Sequence, residues 1–129
     1  MNLNEIAENA HRTAITRERN GGAVKIRDIL KHTAGEVVEA AQARESWIVD
    51  GGDSFSVEHD NYAEELADVV ICVLIAAYDD NIDIEQAINS KMQKNAQRAA
   101  LEGDNGCVWN ATPRSRSPLE RNTGFWTQA

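Results

Sequence analysis

Residues 62–78 read YAEELADVVICVLIAAY. From Leu66 to Tyr78 every position except Asp68 is apolar, so a helix over this run is apolar on all its sides. Such a helix belongs at the centre of a packed protein. The run is too short to span a bilayer, which takes about 20 apolar residues. The expectation is a buried third helix with one carboxylate inside it. A buried carboxylate needs a partner or a metal, because leaving it unpaired costs several kcal/mol. Glu65 lies one turn before Asp68, on nearly the same side. Two carboxylates facing one way repel, and a cation between them relieves the repulsion.

A second pair with the same spacing, Glu36 and Glu39, lies upstream in KHTAGEVVEAAQA. The apolar stripe of that segment is Ile26, Ile29, Leu30, Thr33, Val37, Ala40 and Ala41. Glu36 borders this stripe and Glu39 lies just beyond it, where surface glutamates would sit opposite. Two helices packed side by side would place Glu36, Glu39, Glu65 and Asp68 in one acidic cluster. An all-oxygen donor set suits Mg²⁺ or Mn²⁺ better than Zn²⁺.

The rest of the chain reads as helix as well. Residues 3–19 carry Leu3, Ile6, Ala7, Ala10, Ala14 and Ile15 on one side, and Asn20-Gly21-Gly22 stops them. The second helix is expected from about Ala23 to Trp47, followed by a link through Asp50-Gly51-Gly52-Asp53 to about Glu58. Ser56 or Asp60 is a candidate cap for the third helix, and Asp83 with Gln86 forms a capping-box pattern for a fourth that runs to about Leu101. The fold class expected is therefore all-α, a four-helix bundle-like domain over residues 1–102. Residues 103–129 are rich in Asn, Ser, Thr, Arg, Pro and Gly, with Trp109, Phe125 and Trp126 among them, and read as an irregular tail.

The 129 residues carry a net charge of −8, all of it on the helical part. An acidic body argues against duplex nucleic acid as a partner, though not against a phosphorylated ligand that brings its own divalent ions. Two cysteines, Cys72 and Cys107, make no disulfide framework, and no leader or membrane segment is visible, so a reducing cytoplasm is expected.

The fourth helix carries KMQKNAQR, residues 91–98. Lys91, Asn95 and Arg98 share one face, with Lys94 beside them. Cations near a helix C-terminus are often ordinary surface charge, but beside an acidic metal cluster they suit a polyphosphate. Trp47, three turns from Glu36, either closes the end of the core or stacks on a nucleobase. His11 and His32 read as surface or packing residues, and His59 as a loop residue.

The ordered set Glu36-Val37-Val38-Glu39, then Glu65-Leu66-Ala67-Asp68-Val69-Val70-Ile71, then Lys91-Met92-Gln93-Lys94-Asn95-Ala96-Gln97-Arg98 resembles the MazG-like all-α nucleoside triphosphate pyrophosphohydrolases, which include dimeric dUTPases and dCTP pyrophosphatases. The resemblance covers about Lys25 to Arg98. It implies a Mg²⁺-dependent enzyme that cleaves a nucleoside triphosphate to monophosphate and pyrophosphate. Glu36, Glu39, Glu65 and Asp68 would hold the metal and carry catalysis. Lys91, Lys94, Asn95 and Arg98 would bind substrate, and the protein would be a homodimer or homotetramer; Trp47 is a substrate-binding candidate by its position alone. Two other classes compete. A carboxylate-bridged di-iron or di-manganese bundle wants two E-x-x-H motifs, and this chain has only Glu8 to His11. A non-catalytic helical regulator gains nothing from a buried Asp68.

Overall fold

The computed structural model describes residues 1–104, with side chains described as far as Glu102. The expected irregular tail, with Cys107, Trp109, Phe125 and Trp126, lies outside the described residues. Four helices and no strand occur among the described residues: α1 (Leu3–Arg19), α2 (Ile29–Val49), α3 (Val57–Asp79) and α4 (Ile84–Asp104). The fold is all-α. None of these helices is long and apolar enough to cross a membrane. The chain divides into two compact units, Met1–Glu85 and Gln86–Ala129.

Local chemistry sets the helix ends of the first unit. Asn2 and Glu5 form a reciprocal capping box on α1, each side chain bonding the other's backbone N–H. Ser56 caps α3, its hydroxyl accepting from the His59 N–H at 3.1 Å. Between α1 and α2 the chain turns sharply at Gly22, whose N–H donates to the Arg17 carbonyl at 2.9 Å. A Cβ at Gly22 would stand 2.8 Å from that same oxygen, so the turn admits only glycine there.

The α-helical part of α2 starts later than the sequence pattern implies. Lys25 is extended, and Ile26–Asp28 form a single 3₁₀ turn before Ile29. The Glu18 carboxylate on α1 accepts from the Ile26 N–H at 2.9 Å, so this donor is satisfied outside any helix. The Ala23–Lys25 stretch then crosses between helices instead of prolonging α2.

Within the first unit, α3 is the element on which α1 and α2 both pack. Ile26, Ile29, Cys72, Ile75 and Ala76 form the core, with Ala10, Ala14 and Ile15 of α1 against them. At the opposite end of the α2–α3 pair, Trp47 stacks on Tyr62 with ring centroids 5.7 Å apart and lies 5.2 Å from His59. Ile29 thus lies near Ile75 and Trp47 near Tyr62, so the two helices run antiparallel. The Trp47 indole N–H donates to the Asp53 carbonyl at 3.0 Å and ties the connecting loop to the helix end.

Two sequence expectations are corrected here. Among the described residues α3 is not buried all round. Cys72 and Leu74–Ala77 are buried, but Leu66, Val70 and Val73 are 44%, 52% and 39% exposed. Asp68, expected inside, is exposed too. α1 and α2 together cover only part of the circumference of α3. The inner stripe of α2 also differs from the expected one: Ile29, Thr33, Glu36 and Ala40 face inward, while Leu30, Val37 and Ala41 are exposed. Glu36 therefore lies on the stripe itself, not at its border.

Truncating Ile75 tests this core. Ile75→Ala should destabilise the protein by about 2–5 kcal/mol, read as a lower midpoint in urea. Leu66→Ala on the exposed side of α3 should cost the isolated chain far less.

Candidate metal centre

Helical periodicity brings the acidic groups together. On α2, Thr33, Glu36 and Ala40 follow one another at alternating spacings of three and four. On α3, Tyr62, Glu65, Val69 and Cys72 do the same. Antiparallel packing then sets Glu36 opposite Glu65, with Asp68 one turn on. Oxygens of Glu36, Glu65 and Asp68 all lie within 4.8 Å of one another.

Glu65 bears the strain of this arrangement. One of its carboxylate oxygens, Oε2, is buried without a hydrogen-bond partner. Its carboxyl is pushed above the ordinary value of 4.5, first by desolvation, then by the charges of Glu39, Asp68 and Glu36, and by a side-chain hydrogen bond with Glu39. Glu39, itself exposed, thereby joins the cluster at its edge. A buried acceptor with no donor, facing other carboxylates, is the environment a cation satisfies. The donor set is all oxygen and fits a hard divalent ion with Glu36, Glu65 and Asp68 as ligands.

Two residues that the sequence did not assign to the site also adjoin it. His32, read as a surface or packing residue, pairs with Glu36, its Nε2 lying 2.9 Å from a carboxylate oxygen. Cys72, a free buried thiol, is close enough to Glu36 and Asp68 for their charges to add to burial in pushing its thiol up. Spacing carried the signal for both: His32 precedes Glu36 by four residues, and Cys72 follows Asp68 by four and Glu65 by seven. A cleft of about 380 Å³ opens beside them, lined by Arg17, Val24, Ile26, His32, Asp68 and Ile71 among others. His11, by contrast, pairs with Asp79 at 2.9 Å, three to four turns along α3 from the cluster.

The remaining expected site residues divide between the two units. Trp47 is half-buried at the end of the α2–α3 pair and covered on one face by Tyr62. His59, expected in a loop, lies in the first turn of α3. Lys91, Lys94, Asn95 and Arg98 all lie on α4 in the second unit, Asn95 half-buried and the other three exposed.

The raised Glu65 carboxyl has a consequence for the metal-free protein. Between the ordinary value and the raised one, the folded state holds more protons than the unfolded state. Stability therefore falls as pH rises through that window, and the full deficit persists above it. Glu65→Gln removes the deficit. In EDTA at neutral pH its melting temperature should exceed that of wild type, and the two should converge as pH approaches 4.5. Saturating Mg²⁺ should reverse the order by stabilising only the wild type. At a hundred times Kd the gain is about 2.7 kcal/mol, on the order of 10 °C for a chain of this size.

No curated protein and no solved structure matches the chain. Residues 25–100 match the family defined by the MazG nucleotide pyrophosphohydrolase domain. The match takes in α2, α3, every acidic residue of the cluster and the basic segment of α4. With more than half of its length matched and its carboxylates gathered on two antiparallel helices, the chain belongs to the MazG nucleotide pyrophosphohydrolase family.

Proposed function

We propose that this protein is a Mg²⁺-dependent nucleoside triphosphate pyrophosphohydrolase, converting a (d)NTP and water to the (d)NMP and pyrophosphate, with Mn²⁺ able to replace Mg²⁺. The observation that carries this reading is the convergence of Glu36, Glu65 and Asp68, with one buried oxygen of Glu65 left without a partner. Glu36, Glu65 and Asp68 would ligate the metal, with Glu39 at the rim. When bound, a divalent ion supplies polarisation of the phosphoryl oxygens and a more acidic water. Glu39, the exposed member of the cluster, is the group suited to accept the proton that the attacking water gives up.

The acidic cluster cannot hold a triphosphate without countercharge. Lys91, Lys94, Asn95 and Arg98 are assigned to the leaving pyrophosphate because their spacing gathers three of them on one face of α4. Trp47 is assigned to the nucleobase, with Tyr62 backing its ring. The free thiol of Cys72 accords with a reducing compartment such as the cytoplasm.

A second copy of the chain is the proposed cover for the outer face of α3. Leu66, Val70 and Val73 recur at spacings of four and three and form an exposed apolar row. Association as a homodimer or homotetramer would bury it. Light scattering at micromolar concentration should give a multiple of the 14.2 kDa chain mass, and a 14.2 kDa species alone would exclude this part of the reading.

Pyrophosphate release from a panel of common and modified (d)NTPs with Mg²⁺ tests the activity directly. Asp68→Asn should lose turnover by a factor of about 10² or more, since it weakens a metal ligand. The substituted residue is exposed and loses one of several clustered negative charges, so the metal-free variant should melt no lower than wild type. Arg98→Ala should keep the Mg²⁺-induced rise in melting temperature while kcat/KM falls. Wild-type turnover by Asp68→Asn would separate the carboxylate cluster from the chemistry and sink the enzymatic assignment.

A further inference from the structure

The cluster has a second, chemically different side. A His32 ring nitrogen, a Glu36 carboxylate oxygen and Cys72 Sγ also lie within 4.8 Å of one another. They come from two helices, with His32 and Glu36 one turn apart on α2 and Cys72 facing them from α3. We propose that these three side chains form a second cation site, selective for a thiophilic divalent ion such as Zn²⁺, and that its occupation withdraws Glu36 from the all-oxygen site. The binding claim stands on its own geometry; the functional consequence rests on the pyrophosphohydrolase reading.

The donor chemistry argues for a different ion from the one at Glu36, Glu65 and Asp68. Mg²⁺ takes oxygen ligands and has little use for imidazole or thiolate. Zn²⁺ binds nitrogen, sulfur and carboxylate oxygen together, at about 2.0–2.1 Å from nitrogen and about 2.3 Å from sulfur. Tetrahedral angles then put the donor atoms about 3.3–3.6 Å apart. The His32–Glu36 pair, at 2.9 Å, is within a few tenths of an ångström of this spacing. Cys72 needs only to close the rest of the 4.8 Å envelope. His32 and Glu36 are half-buried and Cys72 is buried. All three line the same cleft of about 380 Å³, which gives an ion a route to the thiol and leaves room for a water as fourth ligand.

A structural role alone explains less. An i, i+4 His–Glu pair on a helix surface stabilises by a few tenths of a kcal/mol, and a buried cysteine commonly acts as a small hydrophobe. Neither role requires the imidazole, the carboxylate and the thiol to converge at the mouth of one cleft.

Glu36 is common to both donor sets. Two divalent ions drawing on one carboxylate repel each other and pull its oxygens to different positions, so they bind with opposed effects. Zn²⁺ should therefore antagonise turnover supported by Mg²⁺.

Cobalt substitution tests the site without reference to activity. The full chain carrying Cys107→Ser, which removes the other thiol, is stripped with chelator and titrated with Co²⁺. A near-ultraviolet thiolate-to-cobalt charge-transfer band should appear at one equivalent and be abolished by added Zn²⁺. His32→Gln, a substitution at a half-buried surface position, should weaken Co²⁺ binding about tenfold or more, and Cys72→Ala should lose the band. Circular dichroism and thermal melts establish that each variant is folded. No band in the folded parent, or an unchanged titration in His32→Gln, overturns the site. In the second arm, Zn²⁺ is added to protein turning over a (d)NTP with Mg²⁺. Inhibition in the parent that is about tenfold weaker in His32→Gln supports the sharing of Glu36. Zinc that binds without inhibiting overturns the sharing and leaves the site. A protein that shows the cobalt band and turns over no nucleotide keeps the site and instead refutes the enzymatic reading.

Discussion

Mutual repulsion of carboxylates held on two packed helices is the constraint on which this structure turns. Glu36 and Glu65 stand on the inner stripes of α2 and α3, at positions where a bundle normally places aliphatic side chains. Asp68 and Glu39 add charge from the flanks. Helix packing fixes these groups because Ile26, Ile29, Cys72 and Ile75 anchor one side of them and Trp47 with Tyr62 the other. The acidic groups cannot separate without undoing packing at both ends. The result is a carboxylate cluster whose geometry is set by packing, at a standing cost to the fold.

That cost falls unevenly. Glu65, with a buried oxygen and no partner for it, is pushed toward its protonated form. His32 Nε2 stands 2.9 Å from a Glu36 carboxylate oxygen. Asp68 is in solvent, where water screens its charge.

Periodicity explains what was legible in the sequence. The E-x-x-E and E-x-x-D pairs, the helix order and the Ser56 cap follow from spacing and local propensity, and the structure has the four helices where the pattern put them. The start of α2 was not legible, because a side chain from another helix, Glu18, satisfies the Ile26 N–H. Nor was the exposure of Asp68. A run that is apolar on all sides states that something covers it, but does not say whether that cover is the same chain. His32 escaped notice for a similar reason: its i, i+4 relation to Glu36 also describes an ordinary surface pair, and only the position of Glu36 on the inner stripe turns it toward Cys72.

Glu36 links these observations. Its carboxylate is shared by two donor sets, one with Glu65 and Asp68 and the other with His32 and Cys72. An all-oxygen pocket and a mixed nitrogen–oxygen–sulfur pocket thus meet at one carboxylate, and the hardness of the ion decides which is occupied. Removing Glu36 would therefore affect both sets, whereas His32 and Asp68 each belong to one. That division lies in helical register: Glu36 is one turn beyond His32 on α2, and Asp68 and Cys72 are one turn apart on α3. A shift of one residue in either helix would turn these side chains about 100° away and dissolve both sets at once. The packing of Ile29 and Ala40 on α2 and of Cys72 and Ala76 on α3 consequently serves the chemistry of the site as directly as its ligands do.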